Sequence, residues 1–181
     1  MKSPTIINFM GAPGVGKTTL AQQISQQTGI YFFQREVLMD NIFGNERDTL
    51  RYKQIADHIT KSMYELATCN AKTGISCITE GTLKPVIQGN RTEFLDAMLE
   101  ASTKHNFNVA VVYCTAPAES ILAHLKQRAA PRDEQKYNAG WQEFLKTFIN
   151  VPGPTLYEHL RIDTTLPVDI NIEKIIEYLK R

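Results

Sequence analysis

Gly11-Ala12-Pro13-Gly14-Val15-Gly16-Lys17-Thr18 fits the phosphate-binding loop pattern G-x-x-x-x-G-K-[ST] at every fixed position. Ahead of it runs Thr5-Ile6-Ile7-Asn8-Phe9-Met10, a short β-prone run suited to a buried strand. Behind it, Thr19 to Gln27 reads as helix, with Leu20 and Ile24 one turn apart and Gly29 just past the end. A glycine-rich turn with an incidental lysine would not need both flanks. Glycines at 11, 14 and 16 let the backbone curl with its N–H groups inward, where a β-carbon would obstruct. The helix starting near Lys17 adds its positive dipole end and unpaired N–H groups. Lys17 is expected to reach the β- and γ-phosphates of a triphosphate. The Thr18 hydroxyl is expected to ligate Mg²⁺. The nucleotide-binding set is therefore Gly11, Ala12, Pro13, Gly14, Val15, Gly16, Lys17, Thr18 and Thr19.

A length of 181 residues suits one domain, residues 1–181, with a full core. Hydrophobic residues at 43% and charged residues at 22% are ordinary for a soluble globular protein. The net charge of +1 demands neither nucleic acid nor an acidic membrane surface as partner. The start, Met1-Lys2-Ser3-Pro4, is followed by too short an apolar run for a signal peptide or a membrane span. Cys69, Cys77 and Cys114 are odd in number and lack C-x-x-C spacing, as expected of reduced structural thiols in a cytoplasmic protein.

Downstream, short apolar runs alternate with helical patterns. Ile30–Phe33 reads as the second strand, followed by Gln34-Arg35-Glu36 and a short helix from Val37 to Phe43. A longer helix from Thr49 carries Tyr52, Ile55, Ile59, Met63 and Leu66 on one side. Ile75–Thr79 is the third strand, ending in Glu80-Gly81-Thr82. Asn90-x-x-Glu93 reads as a capping box for a helix burying Phe94, Leu95, Met98 and Leu99. Val109–Cys114 is continuously apolar, as in a strand covered on both faces. Pro117 opens a helix with Ile121, Leu122 and Leu125 inside, and Asp133 is placed to cap another through Phe148. Leu160-Arg161-Ile162 is a final strand before a last helix with Ile172, Ile175, Ile176 and Leu179 buried. This alternation implies right-handed crossovers and a parallel sheet, with ligands at the carboxyl ends of the strands. The topology gathers the phosphate loop, Glu36, Glu80 and Asp163 on one edge.

Several groups on that edge suit phosphoryl transfer. Glu36 is placed to take a proton from an acceptor hydroxyl, or else is a solvated helix-start acid. Glu80 ends an apolar strand, where it can hold a Mg²⁺-bound water or an acceptor. Thr82 is a hydrogen-bond donor to the same ligand or a turn-stabilising hydroxyl. Lys126, Arg128, Arg132 and Lys136 form a basic run. Arg128 and Arg132 are the candidates for charge over the γ-phosphate, and the lysines stay unassigned. The run is short for a nucleic-acid groove, so nucleic acid is not the expected partner. His58, His105, His124 and His159 are scattered singles without metal spacing, and Trp141 fits a core face.

Together these residues resemble the small P-loop kinases with an adenylate-kinase-like core. The nearest likeness is to the predicted bacterial small-molecule kinases that include zeta-toxin-like and chloramphenicol-phosphotransferase-like enzymes. It runs through the phosphate loop, Glu36, Glu80-Gly81-Thr82, Cys114-Thr115-Ala116-Pro117, Arg128 with Arg132, and Ile162-Asp163-Thr164. The resemblance implies an α/β three-layer P-loop NTPase fold, with a five-stranded parallel sheet in the order 2-3-1-4-5. It also implies a small lid near residues 126–138 and ATP with Mg²⁺ phosphorylating a hydroxyl of a small molecule or nucleotide-type acceptor. By matching, it points to Glu36 as base. That group usually has aspartate there, so the longer Glu36 leaves the role open between Glu36 and Glu80.

Two other readings stand beside this one. A stand-alone or regulatory NTPase would lack a second substrate, yet neither Asn-Lys-x-Asp nor a Leu-Ser-Gly-Gly signature occurs. A nucleic-acid 5′-hydroxyl kinase would show a strongly basic groove. The segments 37–73 and 83–91, which would shape the acceptor pocket, carry no recognition code, and monomer and homodimer are equally open.

Overall fold

The computed structural model describes residues 3–44, 49–138 and 140–180. Of the pocket-shaping stretch 37–73, residues 45–48 lie outside the described residues, as do Met1 and Lys2 of the N-terminal reading. The apolar runs form five strands: β1 (Thr5–Met10), β2 (Tyr31–Phe33), β3 (Cys77–Gly81), β4 (Asn108–Thr115) and β5 (Leu160–Asp163). All pair in parallel, in the order β2-β3-β1-β4-β5. This is the expected three-layer P-loop fold. Every residue of β1 is buried, because both faces of the central strand are covered.

The period-2 alternation of the strands divides the core in two. Ile7, Phe9, Ile78 and Val112 pack with Leu20 and Ile24 of α1 (Lys17–Thr28), Ile121 and Leu125 of α6 (Ala118–Arg128), and Ile172 and Ile175 of α9 (Val168–Tyr178). Ile6, Met10, Cys77 and Val111 pack on the other face. There they meet Met63 and Tyr64 of α3 (Leu50–Lys72) and Leu95 and Met98 of α5 (Glu93–His105). Among the described residues, no helix is long and apolar enough to cross a membrane. Cys69 is exposed, and Cys77 and Cys114 are buried and free.

Several boundaries differ from the sequence reading. The second strand starts at Tyr31, and α2 (Arg35–Phe43) starts two residues earlier than expected. Glu36 therefore sits in the first turn of a helix, where the dipole favours its charge. The third strand runs from Cys77 to Gly81, so Glu80 lies inside it and Ile75 is exposed. Leu66 is also exposed, and Ala67 and Ala71 take the inner face of α3. The cap of α5 is Thr92, whose hydroxyl accepts from the Leu95 N–H, so Asn90 is not the cap. Asp133 caps nothing. It lies within α7 (Pro131–Tyr137), and the helix expected to run through Phe148 is broken into α7, α8 (Trp141–Phe144) and a π-helical turn over Leu145–Ile149.

The phosphate loop is held by one close approach. Gly11 has φ +141°, and a β-carbon there would stand 2.4 Å from the Cys114 carbonyl oxygen of β4. Gly29, at φ +71°, has nothing within 4 Å of such a carbon. Gly11→Ala is therefore expected to lower stability by about 1–3 kcal/mol beyond its backbone strain, since the clash is with backbone. Gly29→Ala should cost roughly 1–2 kcal/mol from φ alone. Paired urea midpoints check this; equal losses would show that the approach to β4 does not constrain the loop.

Candidate active site

The loop after β1 turns through positive φ at Gly11, Gly14 (+80°) and Gly16 (+96°), and Gly16 caps α1. Pro13, Gly14, Gly16, Lys17, Thr18 and Thr19 line one large cavity of about 1140 Å³. Gly11, Ala12 and Val15, also in the sequence-derived set, are buried; Ala12 and Val15 pack into the core behind the loop. Lys17 Nζ donates to the carbonyls of Gly11 (3.0 Å) and Ala12 (2.8 Å). Burial pushes the Lys17 ammonium below its ordinary pKa, against the opposing pull of the Glu80 charge.

Pairing of β1 with β3 sets Phe9 opposite Glu80 and so brings Glu80 to the start of α1. The Thr18 hydroxyl donates to Glu80 Oε2 at 2.7 Å. Glu80 is 3% exposed, and its Oε1 has no hydrogen-bond partner among the described residues. Burial pushes its carboxyl above the ordinary range, and the Thr18 bond pulls the other way. A buried carboxylate oxygen without a donor, beside a hydroxyl at a helix N-terminus, fits an Mg²⁺ ion, which binds through one or two carboxylates and keeps waters and phosphates as its other ligands. Thr18 and Glu80 are the residues that would hold it.

Beyond the loop the same cavity is lined by Arg35, Glu36, Thr60, Thr82 and Phe94. Glu36 Oε1 lies 2.9 Å from Arg35 Nη1, and Glu36 Oε2 lies 3.9 Å from Arg132 Nε. Arg132 also donates from Nη1 to Asp40 Oδ1 at 2.6 Å, so it spans two carboxylates one turn apart on α2. Arg128 donates from Nε and Nη2 to Asp133, and Lys136 donates to the other oxygen at 2.6 Å. Burial alone would raise the Asp133 carboxyl, but the bonds and charges of Lys136 and Arg128 outweigh it and hold the acid below its ordinary value. Both arginines thus line the cavity while engaged with carboxylates of the protein.

Sequence reasoning left Asp40, Thr60 and Tyr64 unassigned. It also passed over Leu83, buried with φ +42°, a left-handed backbone rare for a branched side chain. Asn8 was the one readable signal. It is a polar residue within a strand buried on both faces, and its Oδ1 accepts from the Tyr64 hydroxyl at 3.2 Å. His124 also reaches the site, with Nδ1 3.2 Å from the Gly14 carbonyl.

Comparison with known proteins agrees with this fold. Residues 6–150 match a family described as an AAA domain. Over 140 residues the chain is 30% identical to adenylate kinase of Thermotoga neapolitana; the match takes in 72% of this chain and 61% of that protein, less than two thirds of its length. A candidate kinase of Chloroflexus aurantiacus J-10-fl superposes with TM-score 0.71 at 19% identity, covering 99% of this chain and 98% of the other. A gluconokinase of Sinorhizobium meliloti 1021 gives 0.62 at 14%, covering 100% and 94%. At these identities the solved structures show a shared kinase-like P-loop fold.

Thr18→Ala tests the Thr18–Glu80 pair. The Thr18 bond favours the charged carboxylate, so its loss costs most at pH 8 and fades as falling pH protonates Glu80. The expected loss is about 1–3 kcal/mol at pH 8, or a few degrees in Tm, shrinking toward pH 5. Thermal melts across that range check this, and a loss that does not vary with pH would refute it.

Proposed function

The chain belongs to the AAA domain family, and from that membership we propose that it is an ATP-dependent phosphotransferase. It moves the γ-phosphate to a hydroxyl of a small molecule or nucleotide-type acceptor. The observation that carries this reading is the single cavity running from Lys17, past Glu80, to Arg35, Glu36 and Thr60. Ligand sites commonly span about 300–1,000 Å³, so this cavity is at the upper end for one site, and what supports an acceptor is the set of polar residues beyond Glu80 rather than the volume.

In this reading residues 1–181 act as one kinase domain in the cytoplasm. The loop N–H groups and Lys17 bind the phosphates. Thr18 and Glu80 would hold Mg²⁺, which would supply Lewis-acid neutralisation of phosphate charge. Glu36 orients the acceptor hydroxyl and takes its proton as the new P–O bond forms and the bond to ADP breaks. Thr82 donates to the acceptor. Residues 126–138 are the lid, and Arg128 and Arg132 must exchange Asp133 and Asp40 for the transferring group as it closes.

The test is ADP release from Mg·ATP with pooled nucleosides, nucleotides, sugar nucleotides, aminoglycosides, hydroxylated metabolites and 5′-hydroxyl oligonucleotides. One pool is expected to stimulate release at least tenfold, with the stimulation lost in Lys17→Ala. Turnover that no pool changes, yet that still needs Lys17, would replace the kinase reading with that of an acceptor-independent NTPase.

A further inference from the structure

Glu36 lies at the end of a chain of contacts that starts in the protein core. On β1 the Asn8 side chain is fully buried, and its Oδ1 accepts from the Tyr64 hydroxyl. Tyr64 is buried on α3, and its ring stacks on Phe94 (centroids 6.3 Å apart, planes 8° apart). This fixes α3 against the sheet beside the cavity. One turn earlier on the same face of α3 stands Thr60. Its hydroxyl donates to the Ala56 carbonyl at 2.8 Å and accepts from Arg35 Nε at 2.9 Å. The hydroxyl has one hydrogen to give, and the Ala56 carbonyl takes it, so the oxygen is left to receive Arg35.

Arg35 is 17% exposed, and its Nη1 donates to Glu36 Oε1 at 2.9 Å. A guanidinium is planar and its donors are fixed in one fork. Holding Nε therefore sets the direction of Nη1, and with it the oxygen that Nη1 grips. A glutamate in the first turn of a helix has three side-chain torsions to settle; the helix restricts the first, and Arg35 holds Oε1 at 2.9 Å while Arg132 stands farther off, 3.9 Å from Oε2.

We infer that Thr60 and Arg35 are positioning residues that aim the Glu36 carboxylate into the cavity, transmitting to it the placement of α3. The inference rests on the reading of Glu36 as the acceptor base. It accounts for a hydroxyl on α3 facing a catalytic cleft, and for an arginine preceding the acid whose charge is committed before any ligand arrives. A displacement of about 1 Å at a reacting group costs up to a hundredfold in rate, so the effect belongs in kcat.

Three variants and one spectroscopic readout test it. With the acceptor that stimulates ADP release, Thr60→Val should lower kcat by about tenfold to a hundredfold, with KM for ATP within about twofold. Thr60→Ser keeps the hydroxyl and should stay within about twofold of wild type in kcat. Arg35→Lys, which loses the fork, should resemble Thr60→Val. Independently of any acceptor, NMR on the labelled full chain should show a protected Arg35 Nε–Hε signal that Thr60→Val abolishes and Thr60→Ser preserves. The Glu36 carboxyl ¹³C resonance should move in Thr60→Val. Normal kcat in Thr60→Val, or equal loss in Thr60→Ser, would overturn the inference. So would a loss confined to the acceptor KM, which would make Arg35 a ligand of the acceptor. If no pool stimulates ADP release, the kinase reading fails alone, and the Arg35 and Glu36 signals still decide whether the relay exists.

Discussion

The phosphate loop crosses the end of β4 with no room for a side chain. The backbone at Gly11 lies so close to the Cys114 carbonyl that even a methyl group has no place. That contact fixes where the loop leaves β1, and hence where α1 begins. Because β3 is the neighbour of β1 on the other side, Glu80 then falls beside the first turn of α1, and Thr18 meets it at hydrogen-bond distance. β4 in turn leads through Pro117 into α6, at whose end Arg128 lines the same cavity as Lys17 and Glu80.

The polar groups around the loop are arranged unequally. Around α7 the charges are closed among themselves: Asp133 is paired with Arg128 and Lys136, and Arg132 spans the α2 carboxylates. On the sheet side they are not: among the described residues, one Glu80 oxygen, Asn8 Nδ2 and Thr79 Oγ1 have no hydrogen-bond partner. A buried polar atom without a partner is costly, and Glu80 combines that cost with a position beside Thr18 and Lys17. Around Asp133 each charge meets an opposite one, whereas at Glu80 one buried oxygen lacks a hydrogen-bond partner among the described residues.

The fold was legible because its signals are local. Strand runs, the glycine loop and the helix breaks are properties of contiguous residues, and they placed the five strands and the long helices within a few positions. Glu80 was legible for the same reason, as an acid closing an apolar run. Asp133 was misread because its helix starts at Pro131 and its burial comes from Arg128 and Lys136, which only the folded chain brings around it. The bond from Arg35 to Thr60 joins residues 25 positions apart, and that from Tyr64 to Asn8 joins residues 56 apart. No periodicity or motif encodes such pairs. The left-handed turn at Leu83 had no signal either, because glycine or asparagine is the residue expected there.

The grip of the loop on its own lysine has a consequence for selectivity. With its ammonium held by the carbonyls of Gly11 and Ala12, Lys17 is already solvated by the protein rather than by water. Any anion entering the loop competes with two oriented dipoles that cost nothing further to assemble. A chloride or a lone sulfate offers one charge centre, or one compact cluster, in exchange. A polyphosphate chain offers several along its length and engages the loop N–H groups at the same time. An anion that meets Lys17 in this loop therefore has to replace two backbone carbonyls as the partners of its ammonium.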